Sequence, residues 1–231
     1  LIEPAAGGAR NQVWRGRLNG VAVAVRQSRR PADSLAWELD LLAHLGRNGF
    51  RVPTTVPCDD GRRSAGSVVA QTWLEGHQPS SEAEWGRVAG ELQRLHAATA
   101  DYGQRPGCAT VRELRASRQS VDADLDAIPV VVAERILAVF DQLGDVPAAV
   151  VHGDPGPENI RIGAEGSVGL LDWDESRVDL TWHDLSNLGV QVLGDADHRG
   201  AQLLSNAWEA ANGWVLERDY ALRRLRLLDR A

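Results

Sequence analysis

The chain has 231 residues, enough for one large domain or two small lobes with a hydrophobic core. Charged residues make up 25% and hydrophobic residues 43%, which is typical of a globular rather than a disordered protein. The formal net charge of −7 argues against nonspecific nucleic-acid binding, which requires clustered positive charge. An acidic surface would suit a cationic small substrate, although acidity can also serve solubility alone.

Two cysteines, Cys58 and Cys108, lie far apart and form no CxxC pair, so we expect free thiols rather than a zinc site. No apolar run approaches the length of a membrane span, and the first residues lack the pattern of a signal peptide. We therefore expect a cytoplasmic monomer or homodimer with neither a membrane nor a nucleic-acid partner.

The first third of the chain predicts short strands around one helix. Asn19-Gly20 favours a tight hairpin between two strand-like runs. Leucines at helical spacing predict a helix from Ser34 to about Leu45, with Asp33 or Ser34 as its N-cap. Strands are predicted at residues 12–18, 21–26, 51–56 and 67–73. A linker follows at residues 74–79.

Beyond this linker the hydrophobic pattern takes on a helical period. Helices are predicted over residues 80–98, 111–125, 131–143 and from 180 to the end. Two short buried strands, residues 148–151 and 167–171, lie between them. The sequence therefore predicts an α+β protein with a small β-rich lobe and a larger helical lobe that carries a short hairpin.

The segment from Val150 to Asp174 carries the chemistry. Asp154, Asn159 and Asp172 follow one another in an order that could build one phosphoryl-transfer centre. Asp154 could take a proton from a hydroxyl, and the other two could hold Mg²⁺ against nucleotide phosphates. Each also has a simpler explanation, because Asp154 and Asn159 could close turns and Asp172 could be an exposed acid at a strand end.

Four stretches, VHGDPGPENI, GLLDWD, ELQRLHA and GGARNQVWR, resemble the aminoglycoside phosphotransferase and choline kinase family of small-molecule kinases. The resemblance implies a protein-kinase-like two-lobed fold. Residues 1–76 would form a nucleotide-binding lobe with a small antiparallel sheet and one helix, and the hinge would lie near residues 72–77. Residues 77–231 would form the helical lobe with the catalytic loop at 150–159, the metal-binding Asp172 and the acceptor site.

By this resemblance Asp154 orients and deprotonates the acceptor alcohol, while Asn159 and Asp172 bind Mg²⁺. His152 is expected to be structural, and His96 a satisfied core histidine. An Asp near Asp184 would begin a helix and brace the catalytic loop, with helix N-capping as the favoured interpretation.

The chain departs from the kinase pattern at Arg26, which ends VAVAV where a Lys usually holds the phosphates. An Arg could grip phosphate oxygens through its planar fork, although a solvated strand-end Arg is the competing explanation. Glu38 is its predicted partner, and Asp40 is the alternative.

The remaining nucleotide contacts would come from backbone groups. Gly7 and Gly8 would lie over the phosphates, and Thr72 to Leu74 would offer backbone groups to the purine edge.

Three further acids are candidates for acceptor binding. Asp174 is either an acid behind the metal site or an acceptor contact. Glu175 and Asp179 could line a cleft for a positively charged acceptor, although a solvated acidic face is the competing explanation.

The sequence thus predicts Mg²⁺-dependent transfer of the γ-phosphoryl group of ATP or GTP to a hydroxyl of a small molecule, an aminoglycoside-like or other antibiotic. One alternative is a metabolite kinase of the same fold acting on an amino alcohol or sugar. Another is a nucleotide-binding module without catalysis, which Arg26 in place of Lys would favour. A metal-dependent hydrolase would need more histidine and carboxylate ligands than the sequence offers.

Overall fold

A computed structural model describes residues 2–4, 12–120, 123–215 and 217–229. The strands are β1 (Ile2–Pro4), β2 (Gln12–Leu18), β3 (Val21–Gln27), β4 (Thr55–Val56), β5 (Val68–Thr72), β6 (Ala148–Val151), β7 (Ile160–Ile162), β8 (Val168–Leu170) and β9 (Arg177–Leu180). The helices are α1 (Ala32–Arg47), α2 (Glu82–Ala98), α3 (Val111–Ser117), α4 (Val130–Gln142), α5 (Trp182–Leu185), α6 (Asp195–Gly213) and α7 (Arg218–Leu227).

The chain divides into two compact units. The first comprises residues 1–88 and 154–176, and the second comprises residues 89–153 and 177–231. Residues 154–176, which include the second part of the predicted catalytic loop, therefore pack with the N-terminal residues, and the chain changes units between Gly153 and Asp154. The lobe boundary predicted at residue 76 stays a prediction, because compact units defined by packing need not coincide with lobes defined by function.

In the first unit an antiparallel sheet has the strand order β1-β2-β3-β5-β4. The predicted hairpin is present, with Leu18 paired to Val21 across a two-residue turn. Asn19 and Gly20 both have positive φ, 50° and 82°, as a tight turn matching the twist of the strands requires. This hairpin fixes the register that places Arg26 opposite Val13 on β2 and Val69 on β5.

Helix α1 covers the sheet, because Leu35 and Leu39 pack against Val69 of β5. The predicted cap at Asp33 or Ser34 is wrong. The helix begins after Pro31, whose side chain makes no capping hydrogen bond, and Asp33 accepts a hydrogen bond from the Ser34 N–H at 2.8 Å inside the first turn. A fixed proline φ suits entry into a helix without a side-chain cap.

The second unit is built on one hydrophobic core drawn mainly from helices α3, α4, α6 and α7. Its fully buried or nearly buried members include Leu114, Ile136, Phe140, Leu204 and Trp208. Strands β6 and β9 pair antiparallel, from Ala148 opposite Leu180 to Val151 opposite Arg177. This pair leads directly into the predicted catalytic loop at one end.

Three predicted elements are shorter than expected. The helix predicted over 111–125 ends at Ser117, because Arg118 takes the left-handed conformation with φ 61°. The strand predicted over 51–56 is reduced to β4 and an isolated bridge at Arg51. The helical region predicted from residue 180 consists of α5, α6 and α7 with non-helical segments between them. No helix formed by the described residues is both long and apolar enough to cross a membrane.

Candidate active site

The β7–β8 hairpin brings two of the predicted site residues to one end. Ile160 pairs with Leu170, and beyond this pair the Leu171 N–H donates a hydrogen bond to the Asn159 carbonyl at 2.8 Å. Asn159 therefore lies opposite Leu171, and Asp172 is the next residue along the chain. Two side chains separated by thirteen positions in sequence are thus held at the same end of a short ladder.

Asn159 is oriented by the residue predicted as the catalytic base. Its side-chain nitrogen Nδ2 lies 2.9 Å from the Asp154 carbonyl oxygen and 3.0 Å from Asp154 Oδ2. Because the amide nitrogen is directed at Asp154, the Asn159 side-chain oxygen points to the other side of the group. A neutral oxygen of this kind is a suitable ligand for a hard cation.

Asp172 has an unusual backbone conformation. Its φ of 52° and ψ of 75° lie in the left-handed region, which costs a non-glycine residue about 1 kcal/mol. The neighbours hold it there, since the buried Trp173 donates its indole N–H to the Leu170 carbonyl at 3.1 Å. Asp172 itself is exposed. This exposure agrees with the alternative of an acid at a strand end, and the left-handed backbone geometry is what singles Asp172 out.

The donor set at this end of the hairpin fits a magnesium ion. One amide oxygen from Asn159 and an exposed carboxylate from Asp172 are hard oxygen ligands of the type Mg²⁺ accepts in kinases. Mg²⁺ commonly uses one or two protein groups and completes its coordination with water and phosphate oxygens. Two ligands from the protein therefore suffice for this chemistry.

Arg26 and Glu38 form a buried ion pair between β3 and α1, with 6% and 1% of their surfaces exposed. Asp40, the alternative partner, instead contacts Arg63 at 2.6 Å on the surface. The second terminal nitrogen of Arg26, Nη1, is buried and makes no hydrogen bond to any described residue. A buried donor in this state is costly, and an anionic oxygen could satisfy it.

Asp174 lies between two arginines. Its carboxylate is 3.6 Å from Arg26 Nη1 and 3.7 Å from Arg30 Nε, and the residue is 8% exposed. Glu175 contacts Arg30 Nη2 at 3.3 Å. Of the two roles predicted for Asp174, this burial favours an acid behind the metal site. Glu175 likewise has a cationic partner within its own unit.

Asp179 belongs to a buried charged cluster in the second unit. It accepts a hydrogen bond from Arg177 Nε at 2.9 Å and one from the Val111 N–H at 3.3 Å, and His183 Nε2 lies 3.3 Å away. Burial alone would raise the pKa of Asp179, but the charges of His183 and Arg177 outweigh it and lower the pKa to about 2. These surroundings favour a structural role over the predicted acceptor contact.

Asp184 braces the loop that leads to Asp154. Its buried carboxylate accepts hydrogen bonds from the N–H groups of His152 and Gly153 at 2.8 and 2.9 Å. The predicted helix cap is wrong, because the N-cap of α5 is Thr181 and Asp184 lies inside the first turn. The loop-bracing role implied by the resemblance is the one the contacts support.

His96 is the second partner of Asp184. Its Nε2 lies 2.8 Å from Asp184 Oδ2, and both side chains are buried. The prediction of a satisfied core histidine is confirmed. Burial would raise the pKa of Asp184, but the hydrogen bonds from His96 and from the Gly153 N–H lower it. The sequence did not reveal this pairing, since the two residues lie 88 positions apart.

The predicted hinge residues differ in what their backbones do. The N–H groups of Thr72 and Trp73 are engaged in the sheet, donating to Thr54 and Ala22 carbonyls at 2.8 and 3.0 Å. Leu74 makes no backbone hydrogen bond to any residue that the structure describes. Gly7 and Gly8 lie outside the described residues.

Comparison with known proteins shows the family to which this chain belongs. The sequence matches the phosphotransferase enzyme family APH over residues 1–227, so the chain belongs to this family. The predicted protein-kinase-like α+β fold is confirmed by solved structures. Aminoglycoside phosphotransferase APH(4)-Ia superposes with a TM-score of 0.69 at 15% identity, covering 99% of this chain and 93% of its own.

A second solved structure, the microcompartment-associated aminopropanol kinase, gives a TM-score of 0.68 at 16% identity over 99% of this chain and 89% of its own. Among curated proteins, homoserine kinase of Beijerinckia indica is 30% identical over 164 residues, 66% of this chain and 51% of the relative. Viomycin phosphotransferase of Streptomyces vinaceus is 36% identical over 87 residues, 36% of this chain and 28% of the relative. The chain thus spans about half the length of the homoserine kinases it matches.

The pKa of Asp179 makes a prediction about stability. Because its folded-state pKa of about 2 lies below the ordinary value of 3.8, the charged carboxylate stabilises the fold above pH 4, and this contribution is lost as the pH falls towards 2. The full difference between these two pKa values corresponds to about 2 kcal/mol in the free energy of unfolding. We expect the wild type to have a higher free energy of unfolding than Asp179→Asn, measured with urea. This difference should decrease by about 1 kcal/mol from pH 5 to pH 3.

The exposed Asp101 provides the control. Asp101→Asn should leave the wild-type pH dependence unchanged over the same range. If the difference in free energy of unfolding between the wild type and Asp179→Asn stays constant from pH 5 to pH 3, the Asp179 carboxylate is not held ionised by its neighbours.

Proposed function

We propose that the protein transfers the γ-phosphoryl group of a nucleoside triphosphate to a hydroxyl of a small molecule. The observation that carries this proposal is the arrangement of Asp154, Asn159 and Asp172 around one end of the β7–β8 hairpin, within the same compact unit as the Arg26–Glu38 pair. Family membership supports it independently.

Asp154 is the residue we place at the acceptor oxygen. In an in-line transfer the acceptor oxygen forms a bond to the γ-phosphorus, the bond from that phosphorus to the β,γ-bridging oxygen breaks, and the hydroxyl proton passes to Asp154. Asn159 holds the Asp154 carboxylate from one side through its amide, and the braced N–H groups of His152 and Gly153 fix the chain just before it. Catalysis then comes from positioning and electrostatics rather than a covalent intermediate.

The nucleotide would be held by groups of the first unit. Mg²⁺ on Asn159 and Asp172 would supply the charge that neutralises the phosphates during transfer. The buried Arg26 Nη1 can donate to a phosphate oxygen while Glu38 fixes the other arm of the guanidinium. The backbone of Leu74 would offer its hydrogen-bonding groups to the base edge, and Gly7 and Gly8 remain our candidates for covering the phosphates.

For the donor we favour ATP over GTP. A solved structure of APH(4)-Ia that shares the fold is a ternary complex with the adenine nucleotide AMP-PNP and hygromycin B. This choice rests on fold similarity, so GTP is included in the assay below.

For the acceptor we favour a small amine-bearing alcohol. Three homoserine kinases match two thirds of the chain at 27–32% identity, whereas the viomycin phosphotransferase matches about one third of it. An amino alcohol also suits an acidic protein with a net charge of −7. A cationic antibiotic is the second candidate, supported by the 36% identity to viomycin phosphotransferase over its shorter match.

An acceptor screen tests this proposal. Purified protein with Mg²⁺ and ATP or GTP is incubated with L-homoserine, 1-amino-2-propanol, choline, hygromycin B or viomycin. We expect acceptor-dependent ADP release and a phosphate monoester in the ³¹P spectrum with an amino alcohol. Product with an antibiotic alone would select the second candidate, and nucleotide binding without transfer to any acceptor would favour the non-catalytic module.

Asp154→Asn tests the proposed base. The amide keeps the shape of the side chain but cannot take the proton, so we expect turnover to fall by about 10²- to 10⁴-fold while the nucleotide Kd changes little. Glu158→Gln, which neutralises an exposed acid of the same loop, is the matched control and should retain turnover. Equal turnover in Asp154→Asn and the wild type would remove Asp154 from the mechanism.

Asp172→Asn tests the proposed metal site. We expect the affinity for Mg²⁺-nucleotide, measured by calorimetry, to fall by about 10- to 100-fold, while binding without Mg²⁺ stays unchanged. Glu165→Gln changes an exposed acid at the opposite end of the same hairpin and should have no effect. Loss of affinity that is the same with and without Mg²⁺ would contradict the metal assignment.

A further inference from the structure

We propose that Arg51 is a positioning residue that ties the predicted nucleotide hinge to the hairpin carrying the metal ligands. The inference rests on the proposed function for its consequence, but its structural basis is independent of it. Arg51 lies in the segment between α1 and β4, outside every sequence motif described above.

The main chain of Arg51 extends the hairpin. Arg51 forms an isolated parallel bridge with Gly169 of β8, and its carbonyl accepts a hydrogen bond from the Leu170 N–H at 3.0 Å. Leu170 is the last residue of β8, two positions before Asp172. The backbone of Arg51 therefore holds the strand that ends at the proposed metal ligand.

The side chain of Arg51 reaches two further carbonyls. Its Nη1 donates to the Arg161 carbonyl of β7 at 2.9 Å, and its Nη2 donates to the Glu75 carbonyl of the linker. The guanidinium thus joins β7 to the linker, while the main chain of the same residue pairs with β8. A guanidinium can do this because its N–H groups form a rigid planar fork, whereas an ammonium is a single point donor.

Two glycines leave the space that the guanidinium occupies. A Cβ atom added at Gly169 would lie 2.5 Å from Arg51 Nη1, and one added at Gly163 would lie 3.1 Å from Arg51 Cζ. Distances this short mean that a larger residue at Gly169 would force the guanidinium to move. The hairpin is therefore shaped to receive Arg51 at its side.

The linker and the hairpin also contact each other directly. His77 and Ile162 exchange two backbone hydrogen bonds, of 3.2 and 2.7 Å. Gly76 has φ 137°, and a Cβ there would lie 2.5 Å from the Ile162 carbonyl oxygen, so the approach requires glycine. Arg51 and this bridge together connect Leu74 at the base side to Asn159 and Asp172 at the phosphate side.

The consequence concerns how a nucleotide spans the site. A nucleotide held at its base by the linker and at its phosphates through Mg²⁺ gains both interactions only if the linker and the hairpin are held in register. Loss of Arg51 should therefore reduce the gain in nucleotide affinity that Mg²⁺ provides. Without Arg51, the base would have to fix the linker and the phosphates would have to fix the hairpin in two separate steps. Such a coupling between two binding sites commonly changes the affinity at one of them by a factor of about 5 to 150.

The test compares Arg51→Met with Arg15→Met. Arg15 contacts the same linker residue through the Glu75 carboxylate at 2.9 Å and stacks on Trp73, and it makes no hydrogen bond or ion pair with the described residues of the hairpin. We expect the ratio of nucleotide Kd without Mg²⁺ to Kd with Mg²⁺ to fall at least about fivefold in Arg51→Met and to stay within twofold of the wild type in Arg15→Met. Arg51→Lys should give an intermediate ratio.

Hydrogen exchange in the unliganded protein provides a second readout that needs no nucleotide. We expect the amides of His77 and Ile162 to exchange about tenfold faster in Arg51→Met and in Gly169→Ala, but not in Arg15→Met. Arg51→Lys and Gly169→Ala preserve the test if Arg51→Met does not fold.

The outcomes separate the two proposals. An unchanged Mg²⁺ ratio in Arg51→Met, even with a lowered melting temperature, would overturn the positioning role and leave Arg51 merely structural. Unchanged exchange at His77 and Ile162 would overturn the link itself. A wild type that binds no nucleotide would refute the proposed function, and with it the positioning role, while faster exchange in the variants would still support the link.

Discussion

The hydrogen bond between the Leu171 N–H and the Asn159 carbonyl is the contact on which the candidate site depends. It extends the β7–β8 ladder by one step, so that the carbonyl of one proposed metal ligand is bonded to the residue before the other. The same Asn159 then uses its side-chain nitrogen on Asp154. A single asparagine therefore orients the proposed base with its amide nitrogen and leaves its amide oxygen for a cation. An aspartate in its place would add a charge and lose the donor, which explains why an amide suits this position.

The buried charges around Arg26 explain how an arginine can be kept at the strand end where we propose that it replaces the lysine of kinases. Arg26 and Arg30 are offset by Glu38 and Asp174, so the buried part of the cluster is close to neutral before any ligand binds. Isolated buried charges would be too costly to keep, and paired charges with hydrogen bonds are tolerated. A lysine needs one carboxylate partner, whereas a guanidinium has donors on two sides. On the second side Asp174 lies 3.6 Å from Arg26 Nη1, where it offsets the charge without making a hydrogen bond to that nitrogen and leaves this donor for the phosphate oxygen that we propose.

Much of this arrangement could be predicted from the sequence, because local chemistry decides it. Asn19-Gly20 specifies its hairpin without help from distant residues, and the order of Asp154, Asn159 and Asp172 already suggests one centre. The left-handed backbone of Asp172 and the early end of α3 at Arg118 could not be predicted, since both depend on packing that overrides residue preference. The contacts of Asp184 with His96 and of Arg51 with Glu75 join residues that are remote in sequence. No local sequence pattern around Asp184 or Arg51 predicts these partners.

The two supports of Asp154 differ in kind, and this difference bears on mechanism. Asp184 fixes the backbone of His152 and Gly153 through a carboxylate that is itself held by a buried histidine, so the path of the chain into the loop is set by charge-assisted hydrogen bonds. Asn159 fixes the Asp154 side chain through a neutral amide that can release it without leaving a buried charge. The backbone before Asp154 is thus held by charge-assisted contacts, while the contact of Asn159 with the Asp154 carboxylate is a neutral one. For the base that we propose, a neutral partner is an advantage, because it lowers the proton affinity of a carboxylate less than a cation would.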